Sequence, residues 1–342
     1  MVSSAPSTRL AAKTGQASIS IMNDLGKESV TWVVVDENTA GQRIDNFLIR
    51  HLKGVPKSHL YRILRSGEVR VNSGRVDATY RLEIDDKLRI PPIRVAAKPQ
   101  LNPSAAPVTP RLHEATLYED DALLVIDKPS GFAVHGGSGI SRGVIEQLRL
   151  ERPELKFLEL VHRLDKETSG VLILAKKRSA LTKMHALIRS GAIDKRYFAL
   201  VKGVWPDPKR AVKLKLHKYL TEAGERRVSV TEEGQASHTI FYLRQAWAEF
   251  SLLEAELKTG RTHQIRVHLA HLGYPIAGDD KYGDFPLNKQ LAKQGLKRMF
   301  LHAYSLAFEH PLSGESLHLE AALPRDLELF IGGLSAAANS TK

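Results

Sequence analysis

His162-Arg163-Leu164-Asp165-Lys166-Glu167-Thr168-Ser169-Gly170 runs straight into Val171-Leu172-Ile173-Leu174-Ala175. Five consecutive apolar residues bounded by charge read as a short strand buried on both faces. The stretch before them crowds charged and hydroxyl side chains into a loop that a rigid strand would position, where function concentrates. On residue type alone, Asp165 is either a catalytic carboxylate or a salt-bridged structural acid. Outward from this stretch, strands and helices alternate. Residues 122–127 (ALLVID) predict a second buried strand, with a turn at Lys128-Pro129-Ser130-Gly131. Residues 177–189 predict a charged helix, and 197–201 and 250–257 predict further strands. The pattern is that of a mixed α/β domain.

A second polar cluster is Thr259-Gly260-Arg261-Thr262-His263-Gln264-Ile265-Arg266. Gly260 suits a tight strand-to-helix turn, and Thr262 is placed to cap a helix, HQIRVHLAHL, that stops at Gly273 before Pro275. Arg266 falls near the start of that helix. It either grips a carboxylate bidentately or covers the core with its stem. His263, His268 and His271 share the helix but lack the spacing and Glu of a zinc protease motif, so no metal is expected. Gly136-Gly137-Ser138-Gly139 lacks the Lys-Ser/Thr ending of a P-loop and reads as a flexible loop over a cleft. No serine stands in a nucleophile-elbow pattern.

Composition bounds the partner. The 342 residues carry 50 Lys plus Arg against 38 Asp plus Glu, a net charge of +12, which favours a polyanion such as nucleic acid. At 42% hydrophobic, the chain can bury a sizeable core. It has no cysteine, so disulfides, thiolate metal sites and cysteine nucleophiles are excluded together. Its longest apolar run, residues 170–175, is strand-sized, and residues 1–30 lack the apolar stretch of a secretory signal. A soluble, cytoplasmic protein without membrane contact is expected.

Residues 1–30 and 333–342 read as disordered tails. Six of the 16 prolines fall between Pro91 and Pro110, which places an extended linker at about 96–111. It divides a small module, 31–95, from a large one, 112–332. In the small module Ile44, Phe47, Leu48 and Leu52 have helical spacing. Ser58 is placed to cap a second helix whose apolar face is Leu60, Ile63 and Leu64. Residues 68–71 make a strand into a tight turn at 72–74, and Val76 and residues 88–90 supply further strands. Arg50, Lys53, Lys57, Arg62, Arg65, Arg70 and Arg75 share this region with one acid, Glu68. Either they form a solvated face, or an anion lies across them, and RNA is the expected one.

Four stretches, in order, resemble the RluA-type family of RNA pseudouridine synthases: HRLDKETSG with VLILAKK, KRYFALVKG, TGRTHQIRVH and LKRMFLHAYSLAF. The small module, GQRIDNFLIRHLKGVPKSHLYRILRSGEVRVNSGRV, resembles an S4 RNA-binding domain. The likeness spans about residues 31–330. It implies a pseudouridine synthase fold with a large mixed, mostly antiparallel sheet and a central cleft, preceded by a small S4-like α/β domain. Phrases such as LKGVPKS, KPSGFAVHGGSG and FLELVHRLD lie nearer to the C-type branch, acting on 23S rRNA, than to the D-type.

Carried over residue by residue, the resemblance makes Asp165 the catalytic carboxylate. Tyr197 stacks on the uracil and assists C5 deprotonation, and Arg266 pairs with Asp165. Leu301 packs on the base, Arg163 fills the gap that the base leaves, and His162, Thr168, Arg261 and His263 join them at the substrate. It also implies a monomer and no cofactor. Two other readings stand beside it: the same chemistry on tRNA or at a D-type site, and an S4-type RNA-binding factor that does not catalyse. Intact Asp165, Tyr197 and Arg266 favour the enzyme.

Overall fold

The computed structural model describes residues 29–52, 54–93, 111–136, 142–222 and 224–340. The expected tail before residue 29, most of the Pro-rich linker, Lys53 and Gly137-Ser138-Gly139 lie outside them. The chain forms two compact units, 1–107 and 108–342. Among the described residues, no helix is long and apolar enough to cross a membrane.

The first unit packs two helices on one face of a three-stranded antiparallel sheet. Its elements are β1 (Thr31–Val34), α1 (Ile44–His51), α2 (Lys57–Arg65), β2 (Arg70–Val71) and β3 (Lys87–Ile90), with strand order β1-β3-β2. Ile44, Phe47, Leu48, Leu60, Ile63 and Leu64 from the helices bury against Val71, Leu88 and Ile90 from the strands. Three details differ from the sequence reading. Strand β1 was not anticipated, and Val76 belongs to no strand. Ser58 lies inside α2, whose N-cap is Pro56, because the fixed φ of proline already turns the chain into the helix.

The second unit is built on an eleven-stranded sheet. In chain order its elements are β4 (Thr116–Glu119), β5 (Leu123–Lys128), α3 (Val144–Glu151), β6 (Glu159–Leu160), β7 (Ser169–Ala175), α4 (Arg178–Ser190), β8 (Asp194–Lys202), β9 (Lys209–Leu220), β10 (Arg226–Val230), β11 (Gln235–Ala246), β12 (Phe250–Leu257), α5 (Gln264–His271), α6 (Phe285–Lys293), β13 (Leu301–Glu309), β14 (Ser316–Glu320) and α7 (Arg325–Ser340). The main path runs β10-β9-β11-β12-β8-β13-β7-β5-β4, with β14 beside β13 and β6 beside β7. Every pairing is antiparallel except β13 with β7.

Strand β7 explains its own sequence. Leu172 and Leu174 enter one core with Val144, Ile145 and Leu148 of α3, whereas Val171, Ile173 and Ala175 enter another with Ala180, Leu181 and Met184 of α4. A strand covered on both sides has no use for polar alternation. The expected tail from 333 is instead helix α7 through Ser340. Its Leu327 and Phe330 are buried, and Ser335 Oγ accepts from Trp247 Nε1 at 3.2 Å.

Gly170 begins the contact between β7 and β13 at φ +113°, and a Cβ there would lie 2.1 Å from the Ala303 carbonyl oxygen. Gly170→Ala is therefore expected to lose at least about 2 kcal/mol of stability in a denaturant titration.

Two fully buried histidines lie in β13 and α5. His302 faces the Ser169 hydroxyl at 2.9 Å and the Ala321 carbonyl at 3.1 Å; His268 faces Ser237 at 2.7 Å. Burial pushes both imidazoles, and that of His162, down to about 4. The unfolded chain therefore binds more protons than the fold between pH 6.5 and 4, so stability is full above that window and falls as pH drops through it. The slope of unfolding free energy against pH should approach at least about three protons, and His302→Asn should remove about one.

Candidate active site

Strand order assembles the cleft. Because β13 inserts between β7 and β8, the loop ahead of β7, the start of β13 and the middle of β8 meet at one end of the sheet. These bring Asp165, Leu301 and Tyr197 to a cleft of about 1220 Å³, to which α5 adds Arg266 and His263. Arg163, His162, Thr168 and Arg261 also line it. Nine lysines and arginines line the cleft, and Asp165 is the single acid among the described lining residues.

The Asp165 loop is held from beneath. Lys128, fully buried at the end of β5, donates from Nζ to the carbonyls of Pro129, Phe132 and Lys166 at 2.8, 2.9 and 3.1 Å. Burial, with Arg298 nearby, lowers its pKa to about 7. Ser130 Oγ donates to Glu167 O at 2.7 Å, and Gly131 N donates to Lys166 O at 2.9 Å. Thr168 N closes the turn onto Asp165 O at 3.2 Å. The predicted turn after β5 is thus the clamp on the motif loop.

Arg266 divides itself among three carboxylates, the weakest contact running from its Nη2 to exposed Asp280 Oδ1 at 3.3 Å. Its Nε and Nη2 each donate to Asp279 at 2.7 Å, and its Nη1 donates to Asp165 Oδ2 at 3.1 Å. Asp279 also accepts from the backbone amides of Lys281 and Tyr282 at 2.8 and 3.0 Å. The Arg266 and Asp279 side chains are 3% and 1% exposed, against 26% for Asp165. Burial works against the charge of Asp279, but the Arg266 hydrogen bonds outweigh it and hold that carboxyl below its ordinary range. Burial likewise opposes the guanidinium charge, and Asp279 raises it above its ordinary value.

His263 approaches Asp165 from the other side, Nε2 to Oδ1 at 3.9 Å. Its Nδ1 lies 2.8 Å from the Tyr282 hydroxyl, which accepts from the Val228 amide at 2.9 Å. The Tyr282 hydroxyl thus links the β10 backbone to the imidazole and holds the ring with Nε2 toward Asp165. Burial lowers the His263 pKa, so the ring is neutral near pH 7. Tyr197 is buried, and its hydroxyl pKa is raised by that burial and then by Asp165.

Several expectations change. His162 lines the cleft, but its Nε2 accepts from the Ile173 amide at 3.1 Å and so serves the strand ladder. Thr262 does not cap α5. The N-cap is His263 in the left-handed conformation (φ 53°), and Gly260 has no positive φ. Gln264 organises the turn instead, accepting from Thr259 Oγ1 at 2.8 Å and Arg261 N at 3.0 Å. Two of the three histidines face different partners: His263 bonds Tyr282, and His268 bonds Ser237. Of the expected RNA contacts, Lys57, Arg62, Arg65 and Arg70 are exposed on the first unit, and Arg50 is half-buried.

The sequence profile described as RNA pseudouridylate synthase matches residues 122–271. Ribosomal large subunit pseudouridine synthase C of Pasteurella multocida (strain Pm70) is 48% identical over 319 residues, 92% of this chain and 96% of that protein. The like-named protein of Escherichia coli (strain K12) is 51% identical over 308 residues, 88% of this chain and 95% of that protein. The chain belongs to the RNA pseudouridylate synthase family. It is therefore an isomerase built on the pseudouridine synthase fold. Among solved structures, Human RNA Pseudouridylate Synthase Domain Containing 4 matches with a TM-score of 0.54 at 27% identity, over 66% of this chain and 94% of that one.

Asp279 and Tyr282 of this synthase escaped the sequence reading. The visible signal was a second acid near the arginine, in Gly278-Asp279-Asp280-Lys281, which reads as an ordinary surface turn. Removing Asp279 strands a buried guanidinium, whereas Asp165 is partly solvated. Asp279→Ala should cost about 3–5 kcal/mol in urea unfolding, and Asp165→Asn well under half of that.

Proposed function

We propose that this synthase converts specific uridines of large-subunit (23S) rRNA to pseudouridine, with Asp165 as the catalytic carboxylate. The observation that carries the reading is the lone carboxylate in a cationic cleft, aimed by a guanidinium that is itself anchored. Relatives at about 50% identity along most of their length bear the name of ribosomal large subunit pseudouridine synthase C, which supports the substrate class. Ribosomal RNA as substrate makes the cytoplasm the place of action.

The reaction breaks the N1–C1′ bond of a uridine, turns the freed uracil and joins C5 to C1′; C5 gives up its proton and N1 gains one, so the product is an isomer. Asp165 acts beside the ribose, either by bonding C1′ as the base departs or by taking a ribose proton to form a glycal. Arg266 fixes the direction of its carboxylate, and Nε2 of His263 approaches its other oxygen. The target uridine leaves its stack at a cost of a few kcal/mol. Tyr197 and Leu301, both buried at the cleft wall, supply the apolar surface that receives it, and exposed Arg163 takes the vacated place. Tyr197, whose hydroxyl pKa is raised by burial and then by Asp165, stands at the cleft wall, where it stacks on the uracil and assists the loss of the C5 proton. The first unit, read as S4-like, adds phosphate contacts through Lys57, Arg62 and Arg65.

Asp165→Asn should abolish pseudouridine formation while leaving rRNA affinity nearly unchanged. The check is pseudouridine mapping of 23S rRNA from a deletion strain carrying either form. Sites restored by the variant would overturn the assignment of Asp165, and sites unaffected by the deletion would overturn the substrate.

A further inference from the structure

The sheet of the first unit has a face that neither helix covers. In antiparallel pairing, residues directly opposite one another point to the same side. Trp32 on β1 stands opposite Arg89 on β3, and Arg89 stands opposite Arg70 on β2, so the three form one row across all the strands. Val34 and Lys87 are paired one step along the same side. The opposite face holds Leu88, Ile90 and Val71 against the helices. Trp32 is 56% exposed and Val34 is 60% exposed, whereas the other two tryptophans, Trp205 and Trp247, are 1% and 9% exposed.

The row is chemically one-sided. Strands β1, β2 and β3 contain no acid. The Arg89 guanidinium is tethered by Nη1 to the Glu68 carbonyl at 2.7 Å, and Arg70 by Nε to the Gly67 carbonyl at 3.0 Å. Each has five N–H donors and spends one in these contacts, so the forks are held in place with donors left over. At strand spacing, the row from Trp32 to Arg70 spans about 10 Å. A sheet face that leaves the chain's one exposed indole beside three cations offers a stacking surface for a base and charge for its phosphates.

We infer that this sheet face is a second RNA site, in which Trp32 stacks on an unpaired base of the substrate and Arg89, Arg70 and Lys87 hold the adjoining phosphates. It lies on the side of the sheet away from α1 and α2, so it is distinct from the basic surface of Lys57, Arg62 and Arg65. Its ligand is single-stranded RNA, because a stacked platform takes bases that are already unpaired. The inference rests on the proposed reading of the first unit as an RNA-binding module.

The test uses the full-length protein and a ten-nucleotide oligouridylate, with a duplex RNA as control. The oligouridylate should quench tryptophan emission and protect it from acrylamide, and the duplex should do neither. Trp32→Phe should remove the emission response while keeping most of the affinity. Trp32→Ala should raise the Kd for oligouridylate by roughly tenfold and leave kcat for pseudouridine formation at saturating rRNA unchanged. Lys57→Ala/Arg62→Ala should retain the emission response, which separates the two surfaces. An emission change that persists in Trp32→Phe, or an unaltered Kd in Trp32→Ala, would overturn the site. So would an emission change that follows protein concentration with a doubling of mass, which would make the face a contact between copies. A wild-type protein that forms no pseudouridine in rRNA yet gives the Trp32 response would count against the proposed substrate, not against this site.

Discussion

A guanidinium shared unequally among three carboxylates, with Asp279 taking most of it, organises the second unit. Burying an arginine costs several kcal/mol unless its charge and hydrogen bonds are met. Asp279 meets both, with two 2.7 Å hydrogen bonds and two backbone amides behind it. The Arg266–Asp279 pair is then close to neutral, and Arg266 reaches Asp165 with its remaining terminal nitrogen. Arg266 can therefore aim Asp165 without cancelling it. A carboxylate fully neutralised by a private arginine would be a poorer nucleophile and a poorer base. Asp165 is aimed by one nitrogen and stays one-quarter exposed to the cleft.

That arrangement depends on strand order more than on any local propensity. Asp165, Tyr197, Arg266 and Leu301 come from a loop, two strands and a helix separated by up to 136 residues, counting from 165 to 301. They meet because β13 enters between β7 and β8, in the sheet's one parallel pairing. Its close approach is possible because position 170 has no side chain to collide with the Ala303 carbonyl. The same glycine ends the motif loop that carries Asp165, so the loop's shape and the strand's neighbour are set within five residues of each other.

Legibility in the sequence followed the range of the forces involved. The run VLILA was readable because burial on both faces leaves an unbroken apolar stretch, and the end of α5 at Gly273 because a left-handed residue there needs glycine. The motif residues were readable through their likeness to a family. The role of Asp279 was not, because nothing in a Gly-Asp-Asp-Lys turn distinguishes an acid facing a buried arginine thirteen residues earlier from one facing water. The capping of α5 was misread for a similar reason. Thr262 and Gly260 had the usual chemistry for a turn, but the Gln264 side chain bonds His238 and Thr239 of β11 together with Thr259 and Arg261 of the turn, which leaves the left-handed position to His263. The C-terminal helix was missed because small residues suit tails and helices alike, and Leu327 and Phe330 decide between them only once a core exists.

The hairpin of β9 and β10 connects the cleft's mouth to its chemistry. Lys218 and Arg226 lie on it, exposed at the cleft, where an approaching phosphate chain meets charge first. Deeper on the same hairpin, the Val228 amide donates to the Tyr282 hydroxyl, which bonds His263, which faces Asp165. The middle of this chain is the Tyr282 hydroxyl, which bonds both the Val228 amide and the His263 ring. A shift of the hairpin by one ångström would stretch the 2.9 Å Val228–Tyr282 bond beyond useful length and free the hydroxyl to turn. The imidazole would then lose the anchor that holds its Nε2 toward the carboxylate. The electrostatic surroundings of Asp165 are thus tied to the same strand pair that receives the polyanion.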